Sequence, residues 1–114
     1  MIVVAHAPLA SALLAVVAHV HGSLPAGIVA VDVPADEPRQ TTTDTIASLI
    51  KQTGSNTLVL TDLPGATPHN SAASACTIGA HATPIVCPVN AAMLLRAVNY
   101  RHLCAADLAV KLAQ

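Results

Sequence analysis

The chain has 114 residues, of which 54% are hydrophobic and 10% charged, with a formal net charge of -1. That length suits one domain, residues 1–114, able to bury a core without disulfides or a structural metal. Five scattered Lys and Arg residues and a single aromatic, Tyr100, exclude a basic stripe or a stacking platform for nucleic acid. Charged residues are far fewer than the ~25% usual in globular domains, so part of the surface is expected to be covered by a partner subunit.

The first element is a buried strand, "IVV" (Ile2–Val4), with His6 following after Ala5. "PLASALLAVVAHV" (Pro8–Val20) then reads as a helix, with proline at its first turn, where a missing N–H costs nothing. Leu9, Leu13, Val16, Val17 and Val20 recur at helical spacing, and Gly22 stops the helix. The stretch from Ile2 to Val20 is nearly uncharged but does not read as a membrane span or signal peptide. It contains His6, Pro8, Ser11 and His19, is built mainly from Ala and Val, and is not preceded by a basic segment.

A second strand, "GIVAVDV" (Gly27–Val33), leads through a Pro-rich loop to a helix over "TTTDTIASLIKQTG". A threonine caps that helix, Ile46, Leu49 and Ile50 form its stripe, and Gly54 ends it. The third strand is "NTLVLTD" (Asn56–Asp62), followed by the loop "LPGATPHN" and an Ala-rich helix, "SAASACTIGAHA". "TPIVCPV" (Thr83–Val89) is the fourth strand, "NAAMLLRAVNY" the fourth helix and "AADLAVKLAQ" the last.

Strands alternating with helices predict an α/β fold: a doubly wound, mainly parallel sheet of about four strands, with helices on both faces and room for an extra edge strand. Ligands of such sheets lie beyond the carboxyl ends of the strands, near the topological switch point. His6, Asp32 and Asp62 all fall at those ends. A histidine there reads as a structural residue, and an aspartate before a Pro/Gly turn as a turn former. Placed together, the two types make a nucleophilic site: a carboxylate fixes the imidazole tautomer and leaves the other nitrogen's lone pair free. The start of the first helix and the loop amides after Asp62 would supply donors to a phosphoryl group.

The segments "IVVAHAPLASALL", "VDVPADE", "LVLTDLPGATPHNSA" and "VNAAMLLRAV" resemble, in order and spacing, the mannose/fructose-type IIA component of the bacterial phosphoenolpyruvate-dependent sugar phosphotransferase system. The third segment is the most specific: strand, Asp, two residues, Gly, one residue, Thr-Pro, then Asn. The resemblance implies a phosphotransferase that needs no cofactor and no metal, and a cytoplasmic homodimer. It further implies a histidine phosphorylated on Nε2 by a histidine-phosphorylated carrier protein, with a sugar-specific IIB component as acceptor. The membrane is involved only indirectly, through a permease complex. On this resemblance His6 is the phosphorylated histidine, Asp62 orients it, Thr67 supplies a hydroxyl to the phosphate, and Gly65 keeps the turn close. Better-known members exchange a late strand between subunits, for which "YRHLCAADL" is the candidate region. This sequence departs from the pattern in Ala5 and Ala7 around the histidine and in Leu63-Pro64 after the aspartate. The absence of a following IIB-like segment suggests a stand-alone component.

Two further function classes compete. One is a regulatory phosphoprotein of the same fold, signalling through docking without sugar transport. The other is an aspartyl-phosphate receiver using Asp62, although the acidic pair such a domain needs after its first strand is replaced by Ala5-His6. There is no G-x-x-x-x-G-K-[ST] or G-x-G-x-x-G run for a nucleotide. His69, in the loop after Asp62, serves either as a surface residue or as a contact to the phosphate or a partner. His19 and His21 suit a solvated helix end. Cys76, Cys87, Cys104, His81 and His102 lack metal-ligand spacing, so reduced thiols are expected.

Overall fold

The computed structural model describes residues 1–79 and 82–114. Four strands, β1 (Ile2–His6), β2 (Val29–Val33), β3 (Val59–Thr61) and β4 (Ile85–Val86), form one parallel sheet in the order β2-β1-β3-β4. Five helices accompany them: α1 (Leu9–His21), α2 (Arg39–Thr53), α3 (Thr67–Cys76), α4 (Ala91–Asn99) and α5 (Ala105–Leu112). The architecture is the doubly wound α/β fold that the alternation of strands and helices predicts.

Alternation along each strand divides the core in two. Val3, Ala5 and Leu60 pack with Leu13, Leu14 and Val17 of α1, Leu94 and Val98 of α4 and Leu108 and Leu112 of α5. Ile2, Val4 and Val59 face the other way, against Ile46 of α2 and Ala72 and Ala75 of α3. Ile2 to Ala5 are all buried, as a central parallel strand covered on both faces requires. The chain runs from β1 outward to β2, then crosses back through α2 to β3 on the opposite side of β1. The switch point therefore lies between β1 and β3, and there their carboxyl ends part.

Several boundaries differ from the sequence expectation. β1 runs through His6, so the histidine is the strand's last residue, paired in register with Val33. Pro8 precedes α1, and its carbonyl accepts the Ala12 N–H. α2 starts at Arg39 without a threonine cap; Thr42 instead donates its hydroxyl to Glu37. α3 starts at Thr67, four residues before the expected Ser71, because Pro68 lies in the first turn, where no intrahelical N–H is needed. It ends at Cys76, and the expected final stretch through Ala82 falls partly outside the described residues. β3 and β4 are shorter than their apolar runs. No fifth strand occurs among the described residues: "YRHLCAADL" forms a turn and the start of α5. No described helix is long and apolar enough to cross a membrane.

Candidate active site at the switch point

His6 and Asp62 meet where β1 and β3 separate. His6 Nδ1 lies 2.6 Å from Asp62 Oδ2, and the His6 backbone N–H donates to the same oxygen at 2.9 Å. The Leu63 N–H donates to Asp62 Oδ1 at 2.8 Å, so both carboxylate oxygens are occupied. Burial alone would raise the Asp62 pKa, but hydrogen bonds from the His6 amide, the His6 ring and the Leu63 amide, with the charge of a protonated ring, hold it below its ordinary value. An ionised carboxylate only accepts, so the proton between the pair resides on His6 Nδ1. In the neutral ring that arrangement leaves the Nε2 lone pair free.

The side chains differ in access. His6 is 46% exposed and Asp62 5%, so the carboxylate is embedded while the ring opens to solvent. The ring borders a cavity of about 590 Å³, lined also by Leu9, Asp62, Leu63, Pro88, Val89 and Asn90. Its walls are apolar apart from the His–Asp couple and Asn90. The Asn90 side chain accepts the Met93 N–H at 2.8 Å and so caps α4. Val89 ties the second wall to the couple, since its N–H donates to the Thr61 carbonyl at 2.7 Å.

Gly65, in the turn between Asp62 and α3, and Thr67, the first residue of α3, do not line this cavity. Gly65 adopts φ +79°, a left-handed conformation that favours glycine. Its carbonyl accepts from Asn70 Nδ2 at 2.9 Å. The Leu63 N–H is committed to Asp62, Pro64 has none, and Ala66 donates to the Leu63 carbonyl. The Gly65 and Thr67 amides have no acceptor among the described residues, and the Thr67 side chain is exposed. Donors thus remain in the turn even with Leu63-Pro64 in the sequence.

Asp32 does not join His6. It accepts the Ser11 N–H at 3.0 Å and the Ser11 hydroxyl, filling the role that Pro8, with no capping side chain, leaves open at the start of α1. A carboxylate already placed there makes that helix end a poorer anion site than the sequence suggests. His69 is neither a loop residue nor fully exposed: it lies in the first turn of α3, half-buried, with Nδ1 2.7 Å from Thr61 Oγ1. His19 and His21 are exposed in the last turn of α1. Cys76 is buried, and desolvation pushes its thiol up to about 11, so it is an inert core residue. Among the described residues no three His, Cys, Asp or Glu side chains cluster as metal ligands.

Leu9, Leu63, Pro88, Val89 and Asn90 are the cavity residues that the sequence did not single out. A partial signal exists in "VN", the end of the expected fourth strand followed by a helix-capping asparagine.

Comparison with known proteins agrees with this fold. A family described as "PTS system fructose IIA component" matches residues 1–113. A mannose/sorbose-specific IIA subunit of the phosphotransferase system from Enterococcus faecalis is 30% identical, with TM-score 0.86, over 99% of this chain and 85% of that one. A phosphotransferase system component EIIA from Streptococcus agalactiae, 23% identical, superposes with TM-score 0.90 over 98% of this chain and 87% of that one. The IIA protein associated with the fucose utilization operon of Streptococcus pneumoniae, 20% identical, gives TM-score 0.73 over 86% and 74%. A search of curated protein sequences returns no match. With a whole-chain family match and a solved relative at this level of identity, the chain belongs to the fructose/mannose-type IIA components of the sugar phosphotransferase system.

Proposed function

We propose that this IIA component is a phosphohistidine carrier in which His6 Nε2 attacks the phosphorus of a histidine-phosphorylated carrier protein. The observation that supports this most is the exposed ring of His6 backed by the buried, ionised Asp62 at 2.6 Å. In the forward step a bond forms between Nε2 and phosphorus while the donor's N–P bond breaks, and the donor imidazole keeps the electron pair. Asp62 stabilises the positive charge that develops on the His6 ring and retains the Nδ1 proton in place. The free amides of Gly65 and Thr67, with the Thr67 hydroxyl, receive the phosphoryl oxygens. The second transfer reverses these roles toward a IIB component. Both steps exchange one phosphohistidine for another bond of similar energy, so positioning supplies most of the catalysis.

The apolar cavity walls suit a protein partner that excludes water as the two histidines meet. The chain acts in the cytoplasm as a homodimer, a reading supported by its few charges and by exposed Val16, Val20 and Val110. An aspartyl-phosphate role for Asp62 is disfavoured, because both its oxygens are engaged and buried.

The test is phosphorylation from phosphoenolpyruvate with the carrier protein and its kinase. The chain should acquire an acid-labile, base-stable phosphate, and His6→Ala should acquire none. Equal labelling of His6→Ala and wild type rejects the assignment. Asp62→Asn should still bind the carrier and accept phosphate about 10²-fold more slowly, since its amide can donate to Nδ1 and so hold the wrong tautomer. An unchanged rate removes the orienting role.

A further inference from the structure

We infer that His69 is a positioning residue for the His6–Asp62 couple, acting through the buried hydroxyl of Thr61; this rests on the phosphocarrier reading given above. Thr61 is the last residue of β3, fully buried, and immediately precedes Asp62. It shares parity with Val59, so its side chain is on the sheet face covered by α2 and α3, where His69 meets it at 2.7 Å. This polar pair is set in a face made mainly of Val, Ile and Ala, with Thr42 and Ser71 also buried on the covering helices; the contact matters because a buried hydroxyl without a partner is costly.

The pair closes a short circuit of chain. Thr61 and Asp62 form one foot of the turn, and Thr67 to Asn70, the opening of α3, form the other. Two side-chain bonds clip the feet and tip together: His69 to Thr61, and Asn70 Nδ2 to the Gly65 carbonyl. Asp62 is on the clipped foot, one residue from Thr61. Its Oδ2 must remain within hydrogen-bond reach of His6 Nδ1, and errors of about 1 Å in such positioning cost about 10²-fold in rate. The ring thus holds the carboxylate in place without touching the reacting atoms. Arg39 reaches α3 nearby, to the Asn70 carbonyl and Ser74 Oγ, and leaves the Thr61 contact to His69 alone among the described residues.

Substitutions separate this role from simple packing. Asn places a polar atom where Nδ1 stood; Gln extends to the Nε2 position, and Phe keeps the volume without either. His69→Asn should retain phosphoryl acceptance within about twofold of wild type, whereas His69→Phe and Thr61→Val should each lose about tenfold. The Thr61→Val/His69→Phe double variant should lose no more than either single variant, because the same bond is missing in all three. The direct readout is the NMR resonance of the His6 Nδ1 proton in the unphosphorylated protein, which reports its bond to Asp62 whether or not phosphate is ever transferred. It should shift upfield or broaden in His69→Phe, in Thr61→Val and in the double variant, and return in His69→Asn. An unmoved resonance in folded Thr61→Val or His69→Phe overturns the inference, as does failure of His69→Asn to restore it. Should His69→Phe not fold, Thr61→Val and His69→Asn carry the same comparison. If wild type accepts no phosphate while the resonance behaves as described, the phosphocarrier reading falls and the positioning of Asp62 by His69 stands.

Discussion

Asp62 does two jobs with one carboxylate, and their energetics are linked. It orients His6, and by accepting three hydrogen bonds it joins β1 to the turn after β3. Its pKa is held below the ordinary carboxylate value despite burial. The unfolded chain therefore binds a proton here at a higher pH than the folded chain does. The resulting stabilisation is complete above about pH 4 to 5 and is lost as pH falls through the lowered folded pKa. Urea midpoints measured from pH 6 to pH 3 should fall more steeply for wild type than for Asp62→Asn. The other carboxylates are present in both proteins, so the difference isolates Asp62, and parallel slopes would contradict this account. His6 itself was legible because an ionisable ring is out of place at the end of a buried β-branched run. Placement at strand ends alone left two aspartates as its partner; the family resemblance selected Asp62, which the structure has 2.6 Å from the ring.

At the scale of elements, the site depends on how helices are started. Asp32 and Asn90 both occupy strand ends near the switch point, and both act on helix N-termini, α1 and α4 respectively. Each satisfies an amide that would otherwise lack a partner. Asn90→Ala should cost about 1 kcal/mol of stability by urea denaturation. Asp32→Ala should cost a similar amount and leave His6 phosphorylation intact, because its carboxylate serves Ser11 rather than the ring. A large loss of phosphorylation in folded Asp32→Ala would show that the α1 start takes part in transfer after all. The helix expected to open at Ser71 opens at Thr67 because "TPHN" combines loop-like composition with a proline position that a first helical turn tolerates. That shift of about one turn turns His69 from a loop residue into part of a helix wall.

For the whole molecule, the distribution of polarity points to association. The sequence carries few charges, and Val20, Val110, Ile78 and Leu63 are each more than half exposed. β4, only two residues long, pairs with β3 alone among the described residues, leaving a sheet edge of the kind that pairs with other chains. Sedimentation at micromolar concentration should report a dimer; a clean monomer would show that this surface is covered only when a partner protein docks.

The sequence by itself determined the α/β class, the order of strands and helices, and the chemical types at the strand ends, because these follow from local periodicity and from side chains that a buried core does not accommodate cheaply. It also carried the family through "LVLTDLPGATPHNSA" and its neighbouring segments. Only the tertiary structure decided that Asp32 belongs to α1, that Leu9, Leu63, Pro88, Val89 and Asn90 wall the cavity, and that His69 closes on Thr61. These are contacts between residues far apart in the chain or across a turn whose start is not set by composition. Their geometry comes from which strands the crossovers place side by side, and no local propensity encodes that.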